Sequence, residues 1–380
     1  VEGIVIPPPA LKKQADATTD EWVDRYLRLK GRPPVTRAAA QAVPPAPAGI
    51  PESWKRWIGE NKLLKTSDEA IVDVLVKNGF ARAEAAAEVE RAAANPYLQA
   101  GDWYVQRLKK LHSLLGIYRE LAKLRPSGEG LQRRSGVSRQ EFLQDYYIAN
   151  RPVVLEGLMD DWPAMRRWTP DYLKTLLGDE EVEIMAGRAD DPNYEINCQQ
   201  HRRTVRFHEY VDMVHSGAQT NDYYLVANNG FLKRPKPKQL LADVVMFEEY
   251  LDPRLVDGGV FFWYGPAGTV TPLHHDTSNI FMAQVRGRKR IRLISPNDVE
   301  FLYNDIGVFS PVDCDAADLA RWPQFRKAEV REVLLEPGEV LFIPVGWWHH
   351  VRALDVSITV SFTNFAFANH YEWSMPQIRK

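Results

Sequence analysis

The sequence is poor in cysteine: Cys198 and Cys314 stand far apart among 380 residues and form no C-x-x-C pair. That excludes a disulfide framework and a thiolate zinc site, and it suits a reducing compartment. An excess of one charge is missing too, with 48 basic residues against 50 acidic and a formal net charge of -2. This balance argues against nucleic acid as the partner. No run approaches the roughly 18 apolar residues a membrane helix needs. Residues Val1 to Ala10 lack the basic start and apolar core of a signal peptide. The expectation is a cytoplasmic protein without a membrane partner.

What is present changes character along the chain. Residues 1–50 hold Pro7-Pro8-Pro9, Pro33-Pro34 and an Ala/Pro tract from Ala38 to Pro47, which reads as an arm or linker. One amphipathic run, Asp20 to Lys30 with Trp22, Tyr26 and Leu27, can dock as a helix on the body or on a partner. Residues 51–125 read as a helical accessory domain. Thr66 with Glu69 looks like a capping box ahead of Ile71, Val74 and Leu75, and Gly79 like the C-cap. Ala81 to Ala94 reads as a second helix closed by Asn95-Pro96. Asp102 to Leu124 reads as a third, with Trp103, Leu108, Leu111, Leu115, Tyr118 and Leu121 along one face. Such a domain either packs on its neighbour, grips a macromolecular substrate or mediates dimerisation. Monomer and homodimer both stay open.

Beyond a polar connector, residues 138–380 read as the catalytic domain. A helix from Ser138 to Tyr147 precedes short β-type runs, among them Val182–Met185, Tyr223–Val226, Val260–Tyr264, Asn279–Val285, Arg290–Ile294, Glu332–Leu335, Val340–Pro344 and Ser357–Phe362. Arg286-Gly287-Arg288 reads as a tight hairpin turn. Many short strands with Gly/Pro turns give a mainly β fold with helices outside: a double-stranded β-helix, or jelly roll, behind the helical domain.

The chemistry concentrates in two places. Thr271-Pro272-Leu273-His274-His275-Asp276 carries an H-x-D pair, and Gly346-Trp347-Trp348-His349-His350 follows about seventy residues later. Alternation along a strand points His274 and Asp276 the same way and His275 elsewhere. Two imidazoles and one carboxylate on one face of a metal leave positions open, the usual donor set of non-haem Fe(II) oxygenases. The candidate metal ligands and catalytic residues are therefore His274, Asp276 and His349, with His275 and His350 as supporting residues. The turn, strand and proline of Glu336 to Pro344 deliver His349 to the barrel mouth. Lys289, if it points inward, requires a carboxylate partner, and Thr271 and Tyr224 offer hydroxyls to the same group. Spacing alone favours a solvated lysine within the basic run Arg286 to Arg292.

Phe262 to Thr269 with His274-His275-Asp276, Gln284 to Leu293, and Ile343-Pro344 through Trp348-His349 resemble the JmjC-type, cupin-like oxygenases that use Fe(II), 2-oxoglutarate and O2. The likeness runs roughly from Arg151 to Phe365. It is to the small hydroxylase branch, which includes the asparaginyl hydroxylase that inhibits hypoxia-inducible factor and arginyl-hydroxylase-like proteins. The resemblance implies iron ligation by His274, Asp276 and His349, pairing of Lys289 with the distal carboxylate of 2-oxoglutarate, and a clamp completed by Thr271 and Tyr224. One departure is Ile280, six residues after the first histidine, where the branch usually carries asparagine. Asn279, Ser361 and Asn364 are then the candidates to complete the pocket. The implied reaction is hydroxylation of a side chain in a protein or peptide, yielding succinate and CO2. A small molecule, a tRNA base or a methylated lysine are the other substrates such relatives take.

Overall fold

A computed structural model describes residues 49–124, 131–217, 219–225, 230–304 and 307–371. The proline-rich arm and the 20–30 run lie outside them. The chain divides into two compact units, Val1–Leu114 and Leu115–Lys380.

The first unit is helical: α1 (Glu52–Leu63), α2 (Asp68–Lys77), α3 (Arg82–Ala94) and the start of α4 (Pro96–Lys123). Trp54, Trp57, Ile58, Ile71, Leu75 and Val89 form its core. Trp54 meets Trp57 and Phe80 edge-on, each with ring centroids 5.4 Å apart. Two sequence expectations are corrected here. The cap of α2 is Ser67, whose side chain accepts from the Ala70 N–H, whereas Thr66 donates to Asn61 Oδ1. The helix expected from Asp102 begins at Pro96, because Asn95 Oδ1 accepts from the N–H groups of Tyr97 and Leu98. Proline at the first helical position loses no hydrogen bond, so Asn95-Pro96 ends one helix and starts the next.

The second unit is the expected jelly roll. Strands β1 (Arg133–Ser135), β2 (Val153–Glu156), β3 (Glu181–Ala186), β4 (Arg202–Arg206) and β5 (Tyr223–Tyr224) precede its eight core strands. The core strands are β6 (Val260–Gly265), β7 (Val270–His275), β8 (Ile280–Arg286), β9 (Lys289–Ile294), β10 (Val330–Leu335), β11 (Val340–Ile343), β12 (Trp348–Ala353) and β13 (Ser357–Phe362). One sheet runs β1-β2-β11-β8-β13-β6, its partner β10-β9-β12-β7, and a third, smaller sheet β4-β3-β5. The chain thus crosses between the two large sheets from β6 to β7, to β8, to β9, and again from β10 to β13.

That crossing overturns the hairpin reading of Arg286-Gly287-Arg288. Strand β8 pairs with β11 and β13, and β9 with β10 and β12, so the turn is a corner between sheets. Gly287 has φ +67°, and a Cβ there would collide with the Val356 carbonyl, so the corner admits no larger residue. One apolar layer lies between the sheets, with Ile291, Leu293, Leu341, Ile343 and Val351. A second covers the outside of the six-stranded sheet and holds Phe142, Trp162, Trp168, Phe262 and Phe281. A third, with Leu273, Ile294, Val312 and Trp348, sits under the segment between β9 and β10.

Candidate metal and cosubstrate site

His274 and His349 face each other directly across the β7–β12 ladder, and Asp276 follows at the end of β7. Their ring centroids lie 4.1 Å apart, and His349 Nε2 stands 3.3 Å from Asp276 Oδ2. One donor atom from each of the three falls within 4.8 Å of the others. Each imidazole spends Nδ1 on a backbone carbonyl, His274 on Pro272 at 2.8 Å and His349 on Trp347 at 3.0 Å. A carbonyl only accepts, so the proton sits on Nδ1 and Nε2 keeps its lone pair. Burial, with the neighbouring His349, pulls the His274 pKa down to about 4. For Asp276 burial works upward, but the neighbouring imidazoles of His349 and His274 outweigh it and hold the pKa at about 2. These two donors are therefore ready for a cation at neutral pH without losing a proton.

The next-door histidines point away. His275 meets Trp348 edge-on at 4.7 Å, and His350 lies on the outer face of β12 near Asp315. Asp313, Asp315 and His350 form a second cluster with metal-like spacing. The Asp315 carboxylate already binds Arg290 and Arg292 at 2.6 Å and also Arg352. Three guanidinium groups around one carboxylate make an ion-pair hub that repels a divalent cation.

Thr271 reaches the metal face through a local irregularity. On a regular strand, residues three apart point to opposite faces. Here His349 pairs with His274 but Val351 with Thr271, so Pro272 and Leu273 together oppose one residue. This bulge returns Thr271 to the face of His274, and proline without an N–H is at home in it. Lys289 pairs with Ala353, which shares a face with Val351 and His349, so it too points between the sheets. The lysine is 2 % exposed, and no carboxylate among the described residues acts on Nζ as a counter-charge. Its neighbour is Tyr224 Oη at 3.3 Å. Burial alone pulls its pKa down to about 7. A buried ammonium without a counter-charge is costly, so this pocket is suited to an incoming carboxylate.

Tyr224 is buried, and desolvation pushes its pKa above the ordinary tyrosine range. Its ring packs on Gly265, where a Cβ would come 2.5 Å from the ring. Trp263, quoted above only as part of a motif, stands 6.0 Å from the Tyr224 ring and donates to Ser361 Oγ at 2.7 Å. Ser361 thus faces the same interior as the triad. Asn279 does not. Its Nδ2 donates to Asn369 Oδ1 and Tyr371 Oη, and its Oδ1 accepts from the Val345 N–H, so the amide is spent on tying down the C-terminal segment. Asn364 is similarly engaged, donating to the Asp252 carbonyl.

On the outer face of β7 and β12, away from the triad side chains, a cavity of about 590 Å³ opens between residues 192–196, the β7 edge and residues 303–322, with His350 and Arg352 in its wall. Phe309 lines it and packs against the His274 ring at 5.9 Å. The loop carrying Phe309 is laced to β7 by hydrogen bonds from the His275 N–H to the Val308 carbonyl and from the Ser310 N–H to the Leu273 carbonyl.

Residues 138–368 match the family described as the cupin-like domain. Over 232 residues the chain is 35% identical to lysine-specific demethylase 8 of Xenopus tropicalis, covering 59% of this chain and 50% of that protein. The chain belongs to the cupin-like JmjC family of Fe(II)- and 2-oxoglutarate-dependent oxygenases. Among other members, lysine-specific demethylase JMJ30 of Arabidopsis thaliana is 35% identical over 243 residues, covering 61% of this chain and 54% of that protein. Human tRNA wybutosine-synthesizing protein 5 is 30% identical over 242 residues, 60% of this chain and 76% of that protein. The chain spans about half the length of the two demethylase-named members and three quarters of the third. No helix among the described residues is long and apolar enough to cross a membrane.

Proposed function

We propose that this JmjC protein hydroxylates an amino-acid side chain of a protein or peptide, converting 2-oxoglutarate and O2 to succinate and CO2. The observation that carries the reading is the pairing of an open His274–Asp276–His349 donor set with a buried, uncompensated Lys289 on the same inner face. When bound, Fe(II) with 2-oxoglutarate activates O2, so that one oxygen atom joins a substrate C–H and the other ends in succinate. His274 and His349 Nε2 with the Asp276 carboxylate would hold the metal on one side and leave the other positions free. Lys289 Nζ, with the Tyr224 and Thr271 hydroxyls, would take the distal carboxylate of the cosubstrate, with Trp263 and Ser361 as pocket wall. Val351, Ile291 and Leu293 close the space between the sheets to water, which protects the reaction from wasteful turnover.

The names of the relatives, two lysine-specific demethylases and a tRNA-modifying protein, support a macromolecular substrate. The low cysteine content supports a cytoplasmic setting. A tRNA substrate is the second reading, favoured by the name of a relative of which the chain spans three quarters and opposed by the near-neutral charge. Tight, steeply salt-dependent tRNA binding would move the assignment there. Release of formaldehyde from methylated peptides would move it to demethylation, as two relatives' names suggest. The primary test is 2-oxoglutarate turnover to succinate by purified protein with Fe(II). His349→Ala is expected to abolish it, and Lys289→Ala to raise the 2-oxoglutarate KM by about tenfold or more, the loss of a charged hydrogen bond. Proteome-wide mass spectrometry for a gain of one oxygen atom, with and without the enzyme, then identifies the substrate. No succinate under any substrate mixture would sink the reading.

A further inference from the structure

Helix α4 is the most anomalous element of the molecule. None of its 28 residues is buried, although nearly half are large and apolar. Tyr104, Leu111, Leu114, Tyr118 and Leu121 are 66, 58, 52, 59 and 52% exposed. With Arg107 they occupy alternate three- and four-residue steps, the a and d positions of a heptad. Trp103, Leu108 and Ile117 widen the same stripe and are themselves at least half exposed. The opposite side of the helix is the one already engaged: Asp102 pairs with Lys65, and Arg119 with Asp298 and Glu300. An exposed apolar stripe of this length is far beyond what single surface hydrophobes account for.

We propose that this stripe is a dimer interface, and that its occupant is the same helix of a second copy of the chain. Length is the first argument. A 28-residue helix runs about 42 Å, and only a partner of equal length can cover it. The amphipathic run 20–30 of this chain is only eleven residues long, too few to match it. Area is the second. Eight side chains at about half of the 150–250 Å² that an aromatic residue can bury offer on the order of 800 Å² per copy. That is the half-share of a standard two-chain interface, roughly 1,600 Å² in total. Heptad spacing is the third, since it specifies a helix as the partner, packed knobs into holes. The two-fold symmetry of such a pair makes the interface self-complementary and closed, so it ends at the dimer and does not propagate.

The experiment is sedimentation velocity of the full chain across about 1–100 µM, a range that brackets the affinity expected of a modest standard-size interface. The wild type is expected to sediment at twice the chain mass. Leu111→Glu with Tyr118→Glu is expected to be monomeric throughout, with unchanged helical circular dichroism. Leu255→Glu, equally exposed but remote in sequence, is expected to remain dimeric and controls for added charge. A wild-type monomer over the whole range overturns the proposal, as does a dimer that survives the double substitution. A monomer that dimerises only after residues 1–48 are deleted also overturns it and gives the stripe to the chain's own N-terminal segment. None of these outcomes depends on oxygenase activity.

Discussion

If it holds 2-oxoglutarate as proposed, Lys289 couples cosubstrate binding to pH. Its folded pKa is lowered to about 7 by burial, from an ordinary value of 10.5. Below pH 7 both the folded and unfolded chains hold the proton, and the folded state bears the full cost of burying it. Between about 7 and 10.5 the unfolded chain keeps a proton that the folded one releases, so this group makes stability rise with pH across that window. A bound carboxylate reverses the preference by stabilising the ammonium. Affinity for 2-oxoglutarate is therefore expected to weaken above pH 7, by up to about tenfold per unit. Calorimetric titration of Zn(II)-loaded protein, with the inert metal in place of iron, reads this slope. Lys289→Met is expected to bind weakly and without the slope, and an equal slope in that variant would remove Lys289 from the pocket.

At the scale of elements, the site depends on how strands are held rather than on the ligands alone. The tyrosine of β5 lies on the glycine that ends β6, so Gly265→Ala forces the Tyr224 ring away. Overpacking of this kind is expected to cost about 1–3 kcal/mol in urea denaturation. It should also weaken 2-oxoglutarate binding while leaving metal affinity unchanged, and a variant with wild-type cosubstrate affinity would show that Tyr224 is not part of the clamp. The outer face of β9 and β12 is tied to the segment that carries Phe309 by Asp315 and its three arginines. Asp315→Asn strands those cations at the sheet surface, with an expected loss of about 3 kcal/mol. A loss below about 1 kcal/mol would reduce the hub to an ordinary surface ion pair.

For the whole molecule, a metal held by the proposed triad is expected to act as a folding ligand for the jelly roll. His274 and His349 lie on neighbouring strands and Asp276 just past the end of one, and the three converge only in the folded state. A cation that binds the folded state alone stabilises it by about 2.7 kcal/mol at a hundred times its Kd. Thermal melts are thus expected to shift upward with Fe(II) or Zn(II), to return with a chelator, and to show no shift in His349→Ala. The helical unit has its own core around Trp54, Trp57 and Leu75, so its transition is expected to be insensitive to metal.

The sequence by itself offered His274 and Asp276 as a pair, because the alternation of an extended chain sets them on one face wherever that strand ends up, while the β7–β12 pairing brings His349 to them. Turn residues and short β-type runs also pointed to a mainly β fold, and so to the jelly roll. Tertiary structure decided what depends on partners remote in sequence. The direction of Lys289 follows from its register against Ala353, and that of Thr271 from a bulge visible only against β12. Asn279 is consumed by Asn369 and Tyr371, some ninety residues away. Gly287 turns a corner and not a hairpin because its two strands find other neighbours. Periodicity and capping are local and can be read from a few residues. Register, bulges and the fate of a buried amide are settled by hydrogen bonds to strands whose position no short stretch of chain specifies.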